Sequence, residues 1–312
     1  MMKLGIISKP EAASFDKARD FGLEFVEFDC NDPTDMMGYT KETAKGDPAV
    51  DAHALAARAS EFAKAIERTG ITIGALGRWG SHVYDAQGKI IEEEFDHVKT
   101  LLDLCGELSI PVYCVSACQN PGMSLYKNLG AVIDYLNRVV EYGAKSGTTV
   151  CVVNCAMGGN FVRRPEIWDI VLPEVPGLKI KYDPSHSFIH GGPDGAYKEE
   201  ALGYGDQFGY VHLKGVLRGA KASGMGGGLF DFMKFGGEVA ALVNEKMKDN
   251  FRWSDSPPPG LDSIDWPFFL AALYKGGYDG MLSLEPYSRT WSGDMFDKGI
   301  RFSINYLKNY IV

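Results

Sequence analysis

Short runs of β-branched, aliphatic and aromatic residues alternate along the whole chain with longer stretches whose apolar positions recur at three- and four-residue steps. Eight runs have the make-up of buried strands: KLGIIS (3–8), EFVEFD (24–29), ITIGALG (71–77), PVYCVSA (111–117), TVCVVN (149–154), LKIKYD (178–183), YVHLKG (210–215) and MLSLEPY (281–287). Between them PEAASFDKARDFG, AHALAARASEFAKAIERTG, EEEFDHVKTLLDLCGELSI and NLGAVIDYLNRVVEYGAKSG read as amphipathic helices, each ending near a Gly or a polar turn. Strand–helix alternation at this count predicts an α/β fold, a parallel (β/α)8 or TIM barrel, with residues 1–312 as one domain. The rival is a doubly wound open sheet. It prefers a Gly-rich phosphate loop after its first strand, and ISKPEAAS has no such spacing.

Three connections exceed what a barrel needs: about 30–52, 78–90 and 216–265. Long loops after barrel strands sit on the catalytic face and cover the substrate. The last contains GMGGGLF, a helical pattern near 236–248, and SDSPPPGLDSIDW, where Gly and Pro mark irregular backbone.

Composition narrows the function classes. With 45% hydrophobic and 23% charged residues the chain can bury a full core, and its net charge of −9 argues against nucleic acid. No apolar stretch approaches the roughly 20 residues that span a bilayer, so no membrane partner is expected. Six cysteines (Cys30, Cys105, Cys114, Cys118, Cys151 and Cys155) are too sparse for a disulfide scaffold and read as reduced thiols of a cytoplasmic protein. A small molecule is the expected partner.

Residues at the carboxyl ends of parallel barrel strands converge on one pocket. Here the second strand offers Glu27 and Asp29, the sixth Asp183, the seventh His212 and Lys214, and the eighth Glu285. A lone strand-end carboxylate is as often a helix N-cap, and Asp183, in KYDPSHS, can be read that way, with His186 as a loop histidine. Asp, His and Glu at the ends of three consecutive strands instead suit a divalent ion such as Mg, Mn, Zn or Co. Such an ion polarises a carbonyl for proton abstraction beside it.

The segment KYDPSHS resembles the Asp-x-x-His segment of the xylose isomerase-like TIM barrels, the sugar phosphate isomerase/epimerase superfamily. YVHLKG is similar to its His-x-Lys segment, and IDWPFFLAALYKGGYDGMLSLEPY to its last helix and strand, closing on a Glu. The resemblance implies a sugar or sugar phosphate isomerase or epimerase that works through an enediolate, with Asp183, His212 and Glu285 as metal ligands. It further implies Glu285 or His186 as the proton-transferring group. Arg218 and Lys214 become substrate contacts by the same match, Glu27 by its strand-end place and Trp79 by its aromatic face, and a homo-oligomer, dimer or tetramer, is implied by analogy with relatives.

One departure stands on the fifth strand. Relatives commonly read Glu-Asn-Cys or Glu-Asn-His there, the Glu serving as ligand and acid/base, whereas this chain reads VCVVNCAM, with Val153 in that place. No Asp or Glu occurs between Glu141 and Glu166. Three ligands plus water still make a metal site. A one-sided reaction then fits better than two-base epimerisation, which brings in a keto-sugar lyase or dehydratase of the 3-keto-glycoside or C-glycoside type. A metal-impaired sugar-binding subunit is the non-catalytic reading. The endonuclease branch, with three zinc ions and many His ligands, does not suit an acidic chain of six His.

Trp79, Trp253 and Trp266 are candidate sugar-stacking walls, although DSIDWPFF also reads as a helix start with Asp265 at the cap and Trp266 in the core. His190 and the Arg163–Arg164 pair are as well explained by solvation.

Overall fold

The computed structural model describes residues 2–31, 45–80, 82–155, 160–191, 196–218, 253–288 and 290–312. Eight strands form a closed parallel barrel: β1 (Lys3–Ser8), β2 (Phe25–Asp29), β3 (Thr72–Arg78), β4 (Val112–Val115), β5 (Thr149–Val153), β6 (Lys179–Tyr182), β7 (Phe208–Leu213) and β8 (Met281–Leu284). Each pairs with the next, and β8 closes on β1 with Leu4 opposite Leu282. All eight fall on the runs the hydrophobic pattern predicts.

The crossover helices follow the pattern too, with one difference. The stretch 52–70 is not one helix but two, Ala52–Ala56 and Ala59–Thr69. At the break Arg58 turns to donate to Pro10 O at 2.5 Å and pairs with Glu61, tying this corner to the end of β1. The helix Pro184–Gly191 starts directly after β6, as the N-cap reading of Asp183 expects, and places His186 on a helix rather than in a loop. Beyond β7 the chain forms a short antiparallel pair, Leu217–Arg218 with Trp253–Asp255. Between these two pieces, GMGGGLF and the helical pattern near 236–248 lie outside the described residues, as does 32–44 of the first long loop. Among the described residues no helix is long and apolar enough to cross a membrane.

The period of two in each strand sorts side chains between two cores. Outward residues such as Val26, Leu76, Tyr113, Val152 and Tyr182 pack under the helices, whereas Phe25, Ala75, Val112, Cys114, Cys151 and Tyr210 fill the barrel interior. Gly5 and Gly74 make this filling possible, since a Cβ at either would lie 2.3 or 2.5 Å from the Phe25 ring. The same alternation carried two and four residues on turns Glu27, Asp29, Val153, Lys181, Asp183, His212, Lys214 and Glu285 toward the axis. The barrel is therefore apolar below and charged at its C-terminal mouth.

One buried ion pair braces that mouth from outside. Arg78, at the end of β3, donates to Glu94 through Nε at 2.5 Å and Nη2 at 2.8 Å, and to Cys30 O at 2.9 Å. Glu94 belongs to the helix Glu92–Leu108, so helix, β3 and the chain leaving β2 are locked together. Glu94→Ala leaves a buried guanidinium without its carboxylate and is expected to lower the unfolding free energy by about 3–5 kcal/mol in urea denaturation. Arg78→Met with Glu94→Leu is expected to recover most of that loss.

Candidate active site

Asp183, immediately after β6, answers both readings of KYDPSHS at once. Its Oδ1 accepts from Ser185 N at 2.8 Å, capping the helix Pro184–Gly191. Its Oδ2 faces the barrel axis, 2.7 Å from Lys214 Nζ and 3.3 Å from His186 Nε2. Asn154, one residue past β5, clamps the Asp183 backbone from the neighbouring strand, accepting from its N at 2.8 Å and donating to its O at 3.0 Å. The helix that Asp183 caps carries His186 back over the mouth, where its Nε2 lies 3.2 Å from Lys214 Nζ. Cap and site residue are one carboxylate with two oxygens.

His212, on β7, stands between two carboxylates. Its Nδ1 is 2.5 Å from Glu285 Oε2, and its Nε2 lies 2.8 Å and 2.9 Å from the two oxygens of Glu27. Burial disfavours the charged imidazole, but Glu27 and Glu285 outweigh it and push its pKa up to about 9. Glu27 is fully buried, which opposes its ionisation. The His212 and Lys181 charges prevail and hold it down at about 2. Both its oxygens are engaged, with Lys181 donating at 2.7 Å and Tyr210 at 3.0 Å. Glu285, just beyond β8, likewise stays well below the usual carboxylate range because Lys214 and His212 overcome its burial. Burial works against the Lys214 ammonium too, yet Asp183 and Glu285 raise its pKa. Three carboxylates thus face three cations, and the cluster is close to neutral.

Asp29 behaves differently. Its Oδ1 is buried without a hydrogen bond, and burial, only partly offset by Lys181, pushes the carboxyl up to about 7. Gly77 makes its place: a Cβ there would lie 2.4 Å from the Trp79 ring and 2.5 Å from Asp29 Oδ1. Trp79 folds over this gap, with Lys181 Nζ 3.9 Å from its ring centroid. A cleft of about 540 Å³ runs from Asp29 and Tyr287 along the end of β1 to Lys9 and Lys17, beside the charged cluster; Asp183, His212 and Glu285 do not line it.

The structure brings together Glu27, Trp79, Asp183, His186, His212, Lys214 and Glu285 from the sequence-based set. The Arg218, His190 and Trp253 side chains lie outside the described residues. Trp266 is buried and donates to Asp262 at 2.7 Å, and Asp265 caps its helix through Phe268 N, so this tryptophan belongs to the core. Lys181 and Tyr210 were missed. Each stands two residues before a site residue, Asp183 and His212, and the strand period alone turns them the same way.

A divalent metal fits the donor set provided that His212, a cation without metal, gives up one ring proton to become a ligand. One ligand atom each from Asp183, His212 and Glu285 lie within 4.8 Å of one another, two carboxylates and an imidazole. Asp183 Oδ2 is buried and meets only the Lys214 ammonium and His186 among the described residues. Val153, buried at the end of β5, contributes nothing to this set.

A parallel eight-stranded barrel with its polar groups gathered at the C-terminal mouth defines the class: barrels that carry a small-molecule site where their strands end. The sequence matches the family described as xylose isomerase-like TIM barrel over residues 15–310, and the chain belongs to that family. Among curated proteins none matches. Similar solved structures include a D-allulose 3-epimerase from Methylomonas sp. in complex with D-allulose, at 16% identity and TM-score 0.64, covering 99% of this chain and 98% of that one. A D-psicose 3-epimerase solved in the presence of D-fructose superposes with TM-score 0.68 at 12% identity, covering 99% of each chain. The 3-keto-D-glucoside 4-epimerase of E. coli gives 0.65 at 17% identity, with coverage of 99% and 100%. At these identities the likeness is one of fold.

The raised pKa of His212 has a stability consequence in metal-free protein. A group held above its unperturbed 6.5 stabilises the fold fully below that pH and loses the contribution as pH climbs through about 9. Thermal unfolding in chelator is expected to show Tm falling between pH 7 and 10. The fall should be clearly shallower in His212→Gln.

Proposed function

We propose that this chain is a sugar or sugar phosphate isomerase or epimerase that removes a proton from the carbon beside a carbonyl and passes through an enediolate. The observation that carries the reading is the convergence of Asp183, His212 and Glu285 at the mouth of the barrel. The similar solved structures are epimerases of ketohexoses and of a keto-glucoside, which supports the same substrate class. When bound by these three residues, a divalent ion such as Mn, Mg, Zn or Co polarises the carbonyl oxygen and offsets the charge of the enediolate.

The remaining roles follow from the chain's own groups. Glu285 is at the mouth and takes the proton from the substrate carbon, a role for which the Lys214 and His212 charges that hold it anionic and weakly basic must first be drawn off. His186, beside Asp183 and Lys214, moves a proton to or from a substrate oxygen. Glu27 holds His212 in place with both oxygens, and its contact to substrate runs through that imidazole. Lys214 and Arg218 orient hydroxyls, and Trp79 walls the pocket. Asp29, near 7, both holds and releases a proton at neutral pH, which suits it to return one to the sugar. Six free cysteines, five of them buried, accord with a cytoplasmic enzyme, and a dimer or tetramer of this chain is proposed by analogy with the family alone.

Val153 favours a second reading. Without a carboxylate on β5, proton removal from one face followed by loss of a leaving group needs only Glu285, as in a keto-sugar lyase or dehydratase. A panel of ketohexoses, their phosphates and 3-keto-glycosides, with products resolved by chromatography, separates the two. Isomers or epimers are expected, and an eliminated aglycone with an unsaturated ketone would favour the lyase. Asp183→Ala, His212→Ala and Glu285→Ala are each expected to lower kcat/KM by about 100- to 10,000-fold. Full activity in all three would place the chemistry elsewhere.

A further inference from the structure

The Lys214 ammonium stands among the atoms suited to a divalent ion. Its Nζ lies 2.7 Å from Asp183 Oδ2 and 3.2 Å from Glu285 Oε2. Those carboxylates are two of the three residues whose donors converge within 4.8 Å. Asp183 Oδ2 is balanced by this ammonium, and Glu285 Oε2 is shared between Lys214 and His212 Nδ1. Lys214 is 2% exposed, so water does little to screen it.

Charge counting makes the arrangement exclusive. Asp183 and Glu285 together carry two negative charges, enough to neutralise one divalent ion. Keeping Lys214 beside that ion would leave an excess positive charge a few ångströms away in a poorly screened place. A carboxylate on β5 would absorb the excess, but Val153 stands there, buried and apolar. Glu27 is already committed to Lys181, Tyr210 and His212. The four-carbon stem of a lysine, unlike a backbone or a ring, can swing its charge away without moving the barrel.

We propose that Lys214 is a tethered counter-ion at the metal position: ammonium and divalent ion exclude each other, and the site accepts metal only as Lys214 leaves Asp183 and Glu285. This rests on the metal-holding role given above to Asp183, His212 and Glu285. It adds that the chain carries a built-in competitor for its own metal, so that wild-type affinity includes the cost of moving one side chain.

The test uses full-length, chelator-stripped protein and Mn²⁺ alone, with free Mn²⁺ counted by electron paramagnetic resonance. Lys214→Met and Lys214→Gln are expected to bind Mn²⁺ about tenfold or more tightly than wild type, because the competing charge is gone. Affinity in both variants equal to or weaker than wild type would overturn the proposal while leaving the metal site intact. Mn²⁺ bound by none of the three proteins would overturn both this proposal and the metal-holding role. A measurement on wild type alone guards against variants that fail to fold. Reductive methylation read by mass spectrometry is expected to leave Lys214 protected without metal and to modify it when Mn²⁺ is saturating. Unchanged protection at saturation would contradict the exclusion.

Discussion

His212 is gripped from two sides, by Glu27 at one ring nitrogen and Glu285 at the other. The grip spans β2, β7 and β8, which are not consecutive around the barrel, and it decides the charge of everything near it. Without metal, a buried imidazole between two carboxylates stays protonated, the carboxylates stay ionised, and each then needs a further cation. Lys181 answers Glu27, and Lys214 answers Glu285 and Asp183. Removing one member would leave an uncompensated charge in a place with little water, so the cluster stands as a unit.

The barrel makes this arrangement possible by geometry rather than by strong local preference. Period-two alternation turns every second residue inward, and eight strands bring the inward residues to one axis. Phe25, Cys114, Cys151 and Tyr210 pack the lower layers and exclude water. The charged layer sits above them, where the helix Pro184–Gly191, Trp79 and Gly77 shape the mouth. Asp183 links the two levels, because the oxygen that caps a helix fixes the direction of the oxygen that faces the site.

Much of this was legible from residue order. Eight strand runs and four amphipathic intervals imposed the barrel, and Asp183, His212, Lys214 and Glu285 could be placed at strand ends by counting. Two kinds of information were not. Lys181 and Tyr210 lie inside runs that read as buried strands, and a lysine there looks like an edge residue until its partner, Glu27, 154 positions away, is known. Asp29 was visible as a strand-end carboxylate, but its raised pKa depends on the space Gly77 leaves and on Trp79 closing over it. Whether Asp183 capped a helix or faced the site could not be chosen from sequence because the alternatives were not exclusive. Val153, by contrast, was legible as a departure from the family pattern, and the structure gives it weight by showing how few negative charges remain to hold a divalent ion.

Proton removal from a carbon beside a carbonyl, by groups at this mouth, is the central claim, and the most direct measurement is solvent deuterium uptake. Wild-type protein incubated in D2O with D-allulose or D-fructose, followed by mass spectrometry and NMR, is predicted to place deuterium on the carbon next to the ketone. Glu285→Gln is predicted to place none. Unlabelled sugar with wild type, under conditions where thermal shift shows the sugar bound, would contradict the account and leave a barrel that holds sugars without transforming them.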